Sequence, residues 1–297
     1  MIKDNSVSSK TLDIIVHITM LVVLLITLYP ILYVFAASLS SASANDRGIV
    51  SIFPREFTLE SYKMIWKAKT VPYSFLNSVI YTSVGTFLDL FFTGSLAYAI
   101  SRRKLALRKF YTAIILFSMY FSGGLIPSFL LVRNLHMYNS MWALIIPGLI
   151  GTTNLIIMRT FFQSIPQELE ESANLDGAND FVIFFKIVLP LSKAAVCTIG
   201  LYYAVGHWNS WFSAMIYLKD TSKYPLQMIL RQIVIQTSAL QEAAQSGDLS
   251  AINEIGVVNV TGVKFATLSV SILPMLLIYP FIQKYFIKGV MIGSLKG

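Results

Sequence analysis

The sequence predicts an all-α integral membrane protein with six transmembrane helices, and three observations lead to that class. Hydrophobic residues make up 55% of the 297 residues and charged residues only 13%, whereas an average soluble domain is about 25% charged. The mean hydropathy of the chain is +0.65. The apolar residues form long continuous runs and not alternating short ones, so helices are expected to cross the membrane, because only helices and closed barrels satisfy backbone polar groups there.

Six apolar segments are long enough for a span of roughly 20 residues. They lie at about 12–39, 72–100, 110–132, 140–162, 194–218 and 262–283. The first is much longer than the apolar core of a secretory signal, which has about 7–15 residues. We therefore expect it to remain as a span, kinked at Pro30. The whole chain, 1–297, is expected to form a single transmembrane domain.

Basic residues in the short loops indicate the orientation of the chain, since Lys and Arg collect on the cytoplasmic side. The turn between the second and third segments is strongly basic and contains Arg102, Arg103, Lys104, Arg108 and Lys109. With this turn inside, both termini and the segment 163–193 are also expected in the cytoplasm. The first outer loop is basic too and favours the opposite orientation, but loops some way from the span ends count for less.

Composition also excludes several functions. The basic residues that produce the net charge of +8 flank spans and form no aromatic-interleaved patch, so no nucleic-acid partner is expected. The single cysteine, Cys197, excludes a disulfide framework or a cysteine-based metal site. The three histidines lack partners at ligand spacing, so no metal is expected. Without a GxxxxGK[ST] phosphate loop, the chain is expected to be no enzyme and to bind no cofactor itself.

Two predicted outer loops are long enough to hold structure of their own. In the first, Ser61, Tyr62, Ile65 and Trp66 recur at helical spacing after Thr58, which predicts a short interfacial helix. The second, an extracytoplasmic loop at 219–260, contains an amphipathic run at about 225–244 and then a polar turn at 245–253. Loops of this length are usually functional or disordered, and docking of an external partner is one possibility here.

The cytoplasmic segment 163–193 is a polar interruption in this apolar chain. Ser164 and Gln167 fit a capping box, with Pro166 in the first turn, so a short helix is predicted to begin here. Gly177 is predicted to end it. A second, apolar helix is predicted over 181–189, stopping at Pro190. Helix chemistry alone fits either an ordinary connector or an exposed docking helix that transmits force to a soluble motor.

Five separated positions in this segment resemble the E-A-A, G, I-x-L-P signature of ABC importer permeases. The matching residues are Glu171, Ser172, Ala173, Gly177, Ile187, Leu189 and Pro190. Ser172 departs from the alanine of the signature but is nearly as small. The resemblance implies that the helix from about Glu168 to Gly177, which includes Asp176, is a coupling helix seated in a groove of an ATP-hydrolysing subunit. It also implies that Glu171 pairs with a basic residue of that subunit.

Further wording resembles the maltose-type carbohydrate importers, and within them the shorter second permease. The similar features are the six spans, IPQELEESANLDGA, the Asn77-Ser78 pair and the closing GVMIGSLKG. The length of the second outer loop resembles an oligosaccharide and polysaccharide branch that includes an alginate importer and lipoprotein-linked permeases. The resemblance implies the type I ABC importer transmembrane fold and import of a carbohydrate across the bacterial cytoplasmic membrane.

The same resemblance implies the partners. They are a related permease that completes a heterodimer, two ATPase subunits that bind ATP and Mg, and an extracytoplasmic solute-binding protein. In that family the C-terminal tail, here 284–297, reaches between the ATPase subunits, so Gly293, Ser294 and Lys296 are expected to contact them through an extended segment. An ABC permease for a non-sugar solute and an ion-coupled secondary carrier are the alternatives. A carrier needs ionisable groups at mid-membrane, where Asp89 is the plain acidic candidate.

Candidate sugar contacts lie in the fourth and fifth predicted spans. Sugars bind by stacking on aromatic rings and by hydrogen bonds to amides and hydroxyls. The residues that offer these groups are Tyr203, His207, Trp208, Asn209 and Asn154. Trp and Tyr also gather at membrane interfaces, and polar groups within spans often only join helices, so packing is the competing interpretation of this cluster.

Overall fold

The computed structural model describes residues 7–246 and 260–294, and the regular structure in these two ranges is entirely helical. The α-helices are α1 (Val7–Ser38), α2 (Ala42–Asp46), α3 (Glu60–Lys67), α4 (Thr70–Ser101), α5 (Arg108–Tyr120), α6 (Leu125–Asn134), α7 (Trp142–Ile145), α8 (Thr152–Gln163), α9 (Gln167–Leu175), α10 (Asp180–Ile183), α11 (Leu189–Leu191), α12 (Lys193–Trp208), α13 (Phe212–Tyr217), α14 (Leu226–Ser246) and α15 (Val260–Ser294). Short 3₁₀ turns occur at Ile146–Gly148 and Thr221–Lys223, and a π-helical turn at Phe184–Val188.

Among the described helices, three are long and apolar enough to cross a membrane unaided: Ser9–Ser38, Thr70–Ser101 and Val260–Pro280. Three bent pairs have the same capacity if each pair forms one span, which raises the number of spans to as many as six. The bends within these pairs measure 114°, 52° and 84°. The first, second and sixth predicted spans therefore lie in continuous helices, and the three bent pairs cover 108–134, 142–163 and 180–208. The third of these pairs begins before the predicted fifth span and ends within it.

The third and fourth predicted spans were wrong as continuous helices. The third breaks between α5 and α6, where Gly124 has a φ of +83°, a conformation that favours glycine. The fourth breaks between the 3₁₀ turn that contains Pro147 and α8, which begins after Gly151. Pro147 lacks a backbone N–H and so weakens the helix at this point. Glycine and proline are common in membrane helices, so composition alone did not locate these breaks.

The fifth predicted span, 194–218, also proved discontinuous, and the sixth proved longer than predicted. α12 ends at Trp208, and the side-chain amide of Asn209 donates to the carbonyl of Val205, at 3.0 Å. Asn and Ser side chains compete with helical hydrogen bonds in this way, which accounts for the interruption before α13. α15 continues past the predicted end at 283 to Ser294, so the backbone of the tail is helical and not extended up to that residue.

The chain divides into two compact units, of which the first comprises Met1–Val71 and Gln232–Leu273. Its small core contains Ala36, Ala37, Ala44 and Val50. Within this unit Tyr33 packs edge-on against Phe265, with ring centroids 5.5 Å apart. The first outer loop was predicted to contain a short helix, and a helix is found there as α3, where the hydroxyl of Tyr62 lies 2.8 Å from that of Ser38 at the end of α1.

The second unit comprises Pro72–Arg231 and Pro274–Gly297 and contains the main core. Helices α4, α8 and α12 contribute to this core, together with the turn that follows α10. Its buried members include Ala97, Leu155, Met158, Phe162, Phe184, Val188, Ile199 and Tyr203. The polar segment 163–193 is therefore attached to a well-packed helical framework.

Residues of α4 hold the turn that precedes α14. The side-chain amide of Asn77 donates to the carbonyls of Ser222 and Tyr224, at 2.8 and 3.1 Å. The hydroxyl of Ser78 accepts from the amide N–H of Leu226, which is the first residue of α14. The bond to Ser78 satisfies an N–H at the start of α14 that would otherwise lack a partner, and the bonds from Asn77 hold the carbonyls of the turn before it. The amphipathic run predicted at about 225–244 forms α14, and residues 247–253 of the polar turn lie outside the described ranges.

Candidate functional site

The short helix α9 is the centre of the segment 163–193, although its beginning differs from the prediction. Pro166 occupies the N-cap position, and Ser164 makes no capping bond, because its hydroxyl donates to the carbonyl of Phe161, at 2.7 Å. The predicted capping box is therefore wrong. Proline is compatible with this position because it has no N–H to satisfy.

The end of α9 agrees with the prediction at Gly177, which has a φ of +79°. The N–H of Gly177 donates to the carbonyl of Asn174, at 3.0 Å, and the N–H of Ala178 to that of Ala173, at 2.9 Å. This pair of bonds is the Schellman motif. Asn179 then caps α10, since its side chain accepts from the N–H of Val182, at 2.9 Å. The turn between α9 and α10 is thus closed by local hydrogen bonds.

The two faces of α9 differ in exposure. The outer face presents Glu168, Glu171, Ser172, Leu175 and Asp176, all of them exposed. Leu175 is 90% exposed, which is unusual for a leucine on so short a helix. The amide of Gln167 donates to the carboxylate of Glu171 one turn later, at 2.8 Å, and so orients that carboxylate. This face combines negative charge with one protruding apolar side chain.

The inner face of α9 contacts the second unit's core. Ala173 packs against that core, together with Ala178, Ile187 and Leu189. Glu170 is the buried residue of α9 and forms an ion pair with Arg102, just beyond the end of α4. The guanidinium of Arg102 also lies over the ring of Tyr98, 4.4 Å from its centroid. Sequence analysis did not single out this pair, since Arg102 and Glu170 are distant in the chain.

The second half of the segment departs from the predicted stop at Pro190. The helix does not end there, since Pro190 lies inside α11 and the chain turns only at Ser192. A π-helical turn, Phe184–Val188, comes directly before it. Proline has no N–H for the usual bond one turn back, and the changed hydrogen-bond register of a π turn accommodates that loss. Val188 is buried in the main core, whereas Pro190 is exposed.

A polar seam joins α4 to α12 inside the second unit. The Nε2 atom of His207 lies 2.7 Å from Oδ2 of Asp89, and the side chain of Asp89 is 1% exposed. One turn further along α4, the hydroxyl of Thr93 lies 2.7 Å from that of Tyr203, which also accepts from the N–H of Gly151, at 2.9 Å. Three of the predicted span residues therefore take part in helix-to-helix contacts or lie beside them, because Asn154 is close to Gly151 as well.

The remaining candidate sugar contacts differ in accessibility. Trp208 is buried and packs edge-on against Phe75, with centroids 5.8 Å apart. Asn209 is exposed at the end of α12. A small cleft of about 220 Å³ lies beside the seam and is lined by Asp89, Leu144, Gly148, Tyr202, Tyr203, Gly206, His207 and Ser210. The Oδ1 atom of Asp89 has no hydrogen-bond partner among the described residues.

The predicted contacts of the C-terminal tail are only partly within the described structure. Gly293 and Ser294 belong to the last turn of α15. Lys296 lies outside the described ranges. Within the residues described, no cluster of His, Cys, Asp and Glu has the arrangement of a metal site.

The fold and the loop together define a membrane transport subunit: an all-helical domain with several candidate spans that carries a short helix with an exposed acidic face. A family model described as "Binding-protein-dependent transport system inner membrane component" matches residues 90–292. The chain belongs to this family. Its members are the permease subunits of ABC transporters, which are transport subunits and not enzymes.

Individual relatives cover nearly the whole chain. The polygalacturonan/rhamnogalacturonan transport system permease protein YtcP of Bacillus subtilis (strain 168) is 42% identical over 289 residues, 97% of this chain and 99% of YtcP. Protein LplC of the same organism is 42% identical over 276 residues, 92% of this chain and 90% of LplC. A crystal structure of a bacterial ABC transporter involved in the import of the acidic polysaccharide alginate has a similar chain, with a TM-score of 0.85 and 33% identity. The similarity covers 95% of this chain and 99% of that one.

These matches bear on the alternatives drawn from the sequence. Membership of the ABC permease family sets aside the ion-coupled secondary carrier. The acidic residue on which that alternative rested, Asp89, is paired with His207. The predicted all-α membrane fold is confirmed, with three to six candidate spans in the described ranges.

Proposed function

We propose that this chain is the permease subunit of an importer that carries an oligosaccharide or polysaccharide fragment. This cargo is supported by proteins that are similar to the chain over almost their full lengths and whose names refer to carbohydrate transport. YtcP is named for polygalacturonan and rhamnogalacturonan transport, and the similar solved structure for the import of alginate. A permease for a non-sugar solute is the alternative, and no contact in the described residues favours it.

The segment 163–193 is the element that couples transport to a separate ATPase. Its exposed acidic residues, Glu168, Glu171 and Asp176, present negative charge to a basic partner surface, and Leu175 fills an apolar pocket there. A partly desolvated ion pair from Glu171 contributes more than the ~0–1 kcal/mol of a fully exposed pair. Ala173, Ile187 and Leu189 act from the other side by fixing the segment to the core, which makes the helix a rigid lever.

The proposed assembly has four kinds of partner. A second, related permease completes a heterodimer, and two ATPase subunits bind ATP and Mg. An extracytoplasmic solute-binding protein delivers the cargo. We place both chain termini in the cytoplasm, with Gly293, Ser294 and Lys296 near the ATPase subunits, and we place the loop 219–260 outside.

Substrate contact is proposed at the cleft beside the polar seam. Tyr203 and His207 line it. Asn154 lies close to Gly151, where the fourth predicted span is broken. Asn209 adds an exposed amide at the end of α12. The buried Trp208 supports this wall from behind through its contact with Phe75. The cleft offers hydroxyl, imidazole and carboxylate groups, which are the partners that sugar hydroxyls use.

Cargo is tested by uptake into proteoliposomes that contain the complete importer with its binding protein. Oligogalacturonides are compared with neutral oligosaccharides and with a peptide of similar size. We expect ATP-dependent uptake of at least one carbohydrate and none of the peptide. Uptake of the peptide alone would overturn the carbohydrate assignment while leaving the permease class intact.

Coupling is tested by co-purification of the ATPase subunits. Glu171→Lys places positive charge where negative charge is proposed to dock, so we expect at least a tenfold loss of bound ATPase. Lys186→Glu is the matched control, because Lys186 is exposed on the same segment but outside α9. Unchanged ATPase binding by Glu171→Lys would remove this docking role.

A further inference from the structure

The ion pair between Arg102 and Glu170 joins the basic turn after α4 to the inner face of α9. The side chain of Arg102 is 22% exposed and that of Glu170 is 12% exposed, so the pair is largely withdrawn from solvent. The other acidic residues of α9, Glu168 and Glu171, are exposed. A carboxylate is rarely buried unless it is paired, and separating such a pair leaves an uncompensated charge.

The surroundings of Arg102 fix its position. Its Nε atom donates to the hydroxyl of Ser101, at 3.0 Å, and its guanidinium lies over the ring of Tyr98. Tyr98 in turn contacts Phe184 in the π-helical turn, with centroids 5.0 Å apart. Arg102 is therefore held by side chains at the end of α4 and is not a mobile surface cation. Glu170 therefore pairs with a guanidinium whose position is already fixed by Ser101 and Tyr98.

We propose that the Arg102–Glu170 pair is the contact through which movement of α9 is transmitted to α4. The inference rests on the proposed role of α9 as the coupling helix and adds the span that receives the movement. Ala173 is the residue of α9 that packs against the apolar core, and its small methyl group offers little resistance to sliding. A largely buried ion pair resists sliding, because displacement would separate the two charges and leave each of them without its partner.

The route continues along α4 to the polar seam. Tyr98, Thr93 and Asp89 lie on α4, which ends one residue before Arg102, and the last two bind residues of α12. A displacement of the cytoplasmic end of α4 therefore changes contacts beside the proposed substrate cleft. In this view Arg102 is a positioning residue, which acts through α9 and α4 and touches neither cargo nor nucleotide.

The test uses the complete importer in proteoliposomes, with two readouts: ATPase subunits bound per permease, and substrate imported per ATP hydrolysed. Arg102→Gln and Glu170→Gln are compared with Arg103→Gln, which removes an exposed positive charge from the adjacent position. We expect the first two variants to keep bound ATPase within about twofold of wild type and to lose at least tenfold in substrate per ATP. Arg103→Gln is expected to match wild type in both readouts.

A charge exchange guards against variants that merely fold badly. Arg102→Glu combined with Glu170→Arg restores an ion pair of opposite direction, so it is expected to regain at least threefold over either single reversal. Equal substrate per ATP in Arg102→Gln and Arg103→Gln would overturn the inference, as would a double variant worse than both singles. Loss of bound ATPase in parallel with uptake would overturn it too, since the pair would then only shape the docking surface. Absence of ATPase from the wild-type permease would instead remove the proposed function itself.

Discussion

The Nε2 atom of His207 lies 2.7 Å from Oδ2 of Asp89, and the α-carbon of Gly85 faces the same imidazole one turn earlier on α4. A Cβ at Gly85 would stand 2.5 Å from that nitrogen. Thr93, one turn after Asp89, binds Tyr203. The residues at 85, 89 and 93 therefore form one stripe of α4, because positions four apart share a helix face. This stripe is the contact surface for α12.

Gly85→Ala is expected to destabilise the chain by about 1–3 kcal/mol, since the added methyl group overpacks a closed contact and displaces the imidazole. Thermal unfolding of the detergent-purified chain measures the effect. Gly94→Ala on the same helix is the matched control, because a Cβ there meets neighbours only at an ordinary 3.6 Å. Equal stability of the two variants would contradict the close approach at Gly85.

His207→Leu is expected to cost about 3 kcal/mol or more, because it leaves the carboxylate of Asp89 buried without its partner. The double variant His207→Leu with Asp89→Val removes both groups, so it is expected to recover much of that loss. A double-mutant cycle in the same unfolding assay measures the coupling. Strict additivity of the two changes would show that the two side chains do not depend on each other.

Tyr203→Phe removes the hydroxyl that joins Thr93 to the N–H of Gly151. We expect a loss of about 1–3 kcal/mol in stability, since two polar groups lose their partner. Tyr202→Phe serves as the control, because Tyr202 is adjacent to Tyr203 in the sequence but is 46% exposed. The same loss in both variants would point to a general effect of removing a tyrosine hydroxyl.

The turn at 219–225 is expected to loosen in acid. The pKa of Asp220 is held below its ordinary value of 3.8, mainly by a hydrogen bond from the side chain of Asn139 and to a smaller extent by one from Lys223. A group with a lowered pKa stabilises the fold above its unfolded pKa, and that contribution is lost as the pH falls through the folded value. The loss therefore begins below about pH 4. Asp220 is exposed, so the effect is local.

Hydrogen exchange measures this loosening at the amides of Lys219 and Asp220, which donate to the side-chain oxygen of Asn139, at 3.0 and 3.1 Å. Their protection, corrected for the intrinsic pH dependence of exchange, is expected to fall below pH 4. Asp220→Asn is expected to abolish the pH dependence. The amide of Leu226 is an internal reference, because it is bound by the hydroxyl of Ser78, which does not titrate in this range. A fall at Leu226 equal to that at Asp220 would indicate general unfolding.

Leu175→Ser is expected to reduce ATPase co-purification at least fivefold while leaving the stability of the isolated permease unchanged, since a side chain that is 90% exposed contributes little to the fold. Phe53→Ser is the control: Phe53 is also a strongly exposed apolar residue, 73% accessible, but it lies in the first loop. Retention of ATPase by Leu175→Ser would exclude Leu175 as an apolar anchor.

Much of the fold follows from local composition. Long apolar runs predicted the three continuous spans, and helical spacing predicted α3, because burial against lipid or protein demands one repeated face. The amphipathic run at about 225–244 coincides with α14. Gly177 was predicted as a helix end and has the left-handed backbone expected of it. Such features depend on a few neighbouring residues, so they are legible in sequence.

Other local predictions failed where two hydrogen-bonding solutions compete. Ser164 bonds back to Phe161 and does not cap α9. Pro190 lies within a helix because the π turn before it removes the conflict. The breaks at Gly124, Gly151 and Asn209 interrupt runs whose hydropathy remains that of a span. Hydropathy reports the affinity of a segment for lipid, not the path of its backbone.

The sequence by itself determined that this chain is a helical membrane protein, and its resemblance to ABC permeases indicated where an ATPase would dock. Only the tertiary structure decided which charges are paired. Asp89 meets His207 and Arg102 meets Glu170 across 118 and 68 positions of chain, respectively. An acidic residue inside a span does indicate that a partner for its charge lies nearby. Which residue supplies that partner depends on how the helices pack, and no local pattern carries that information.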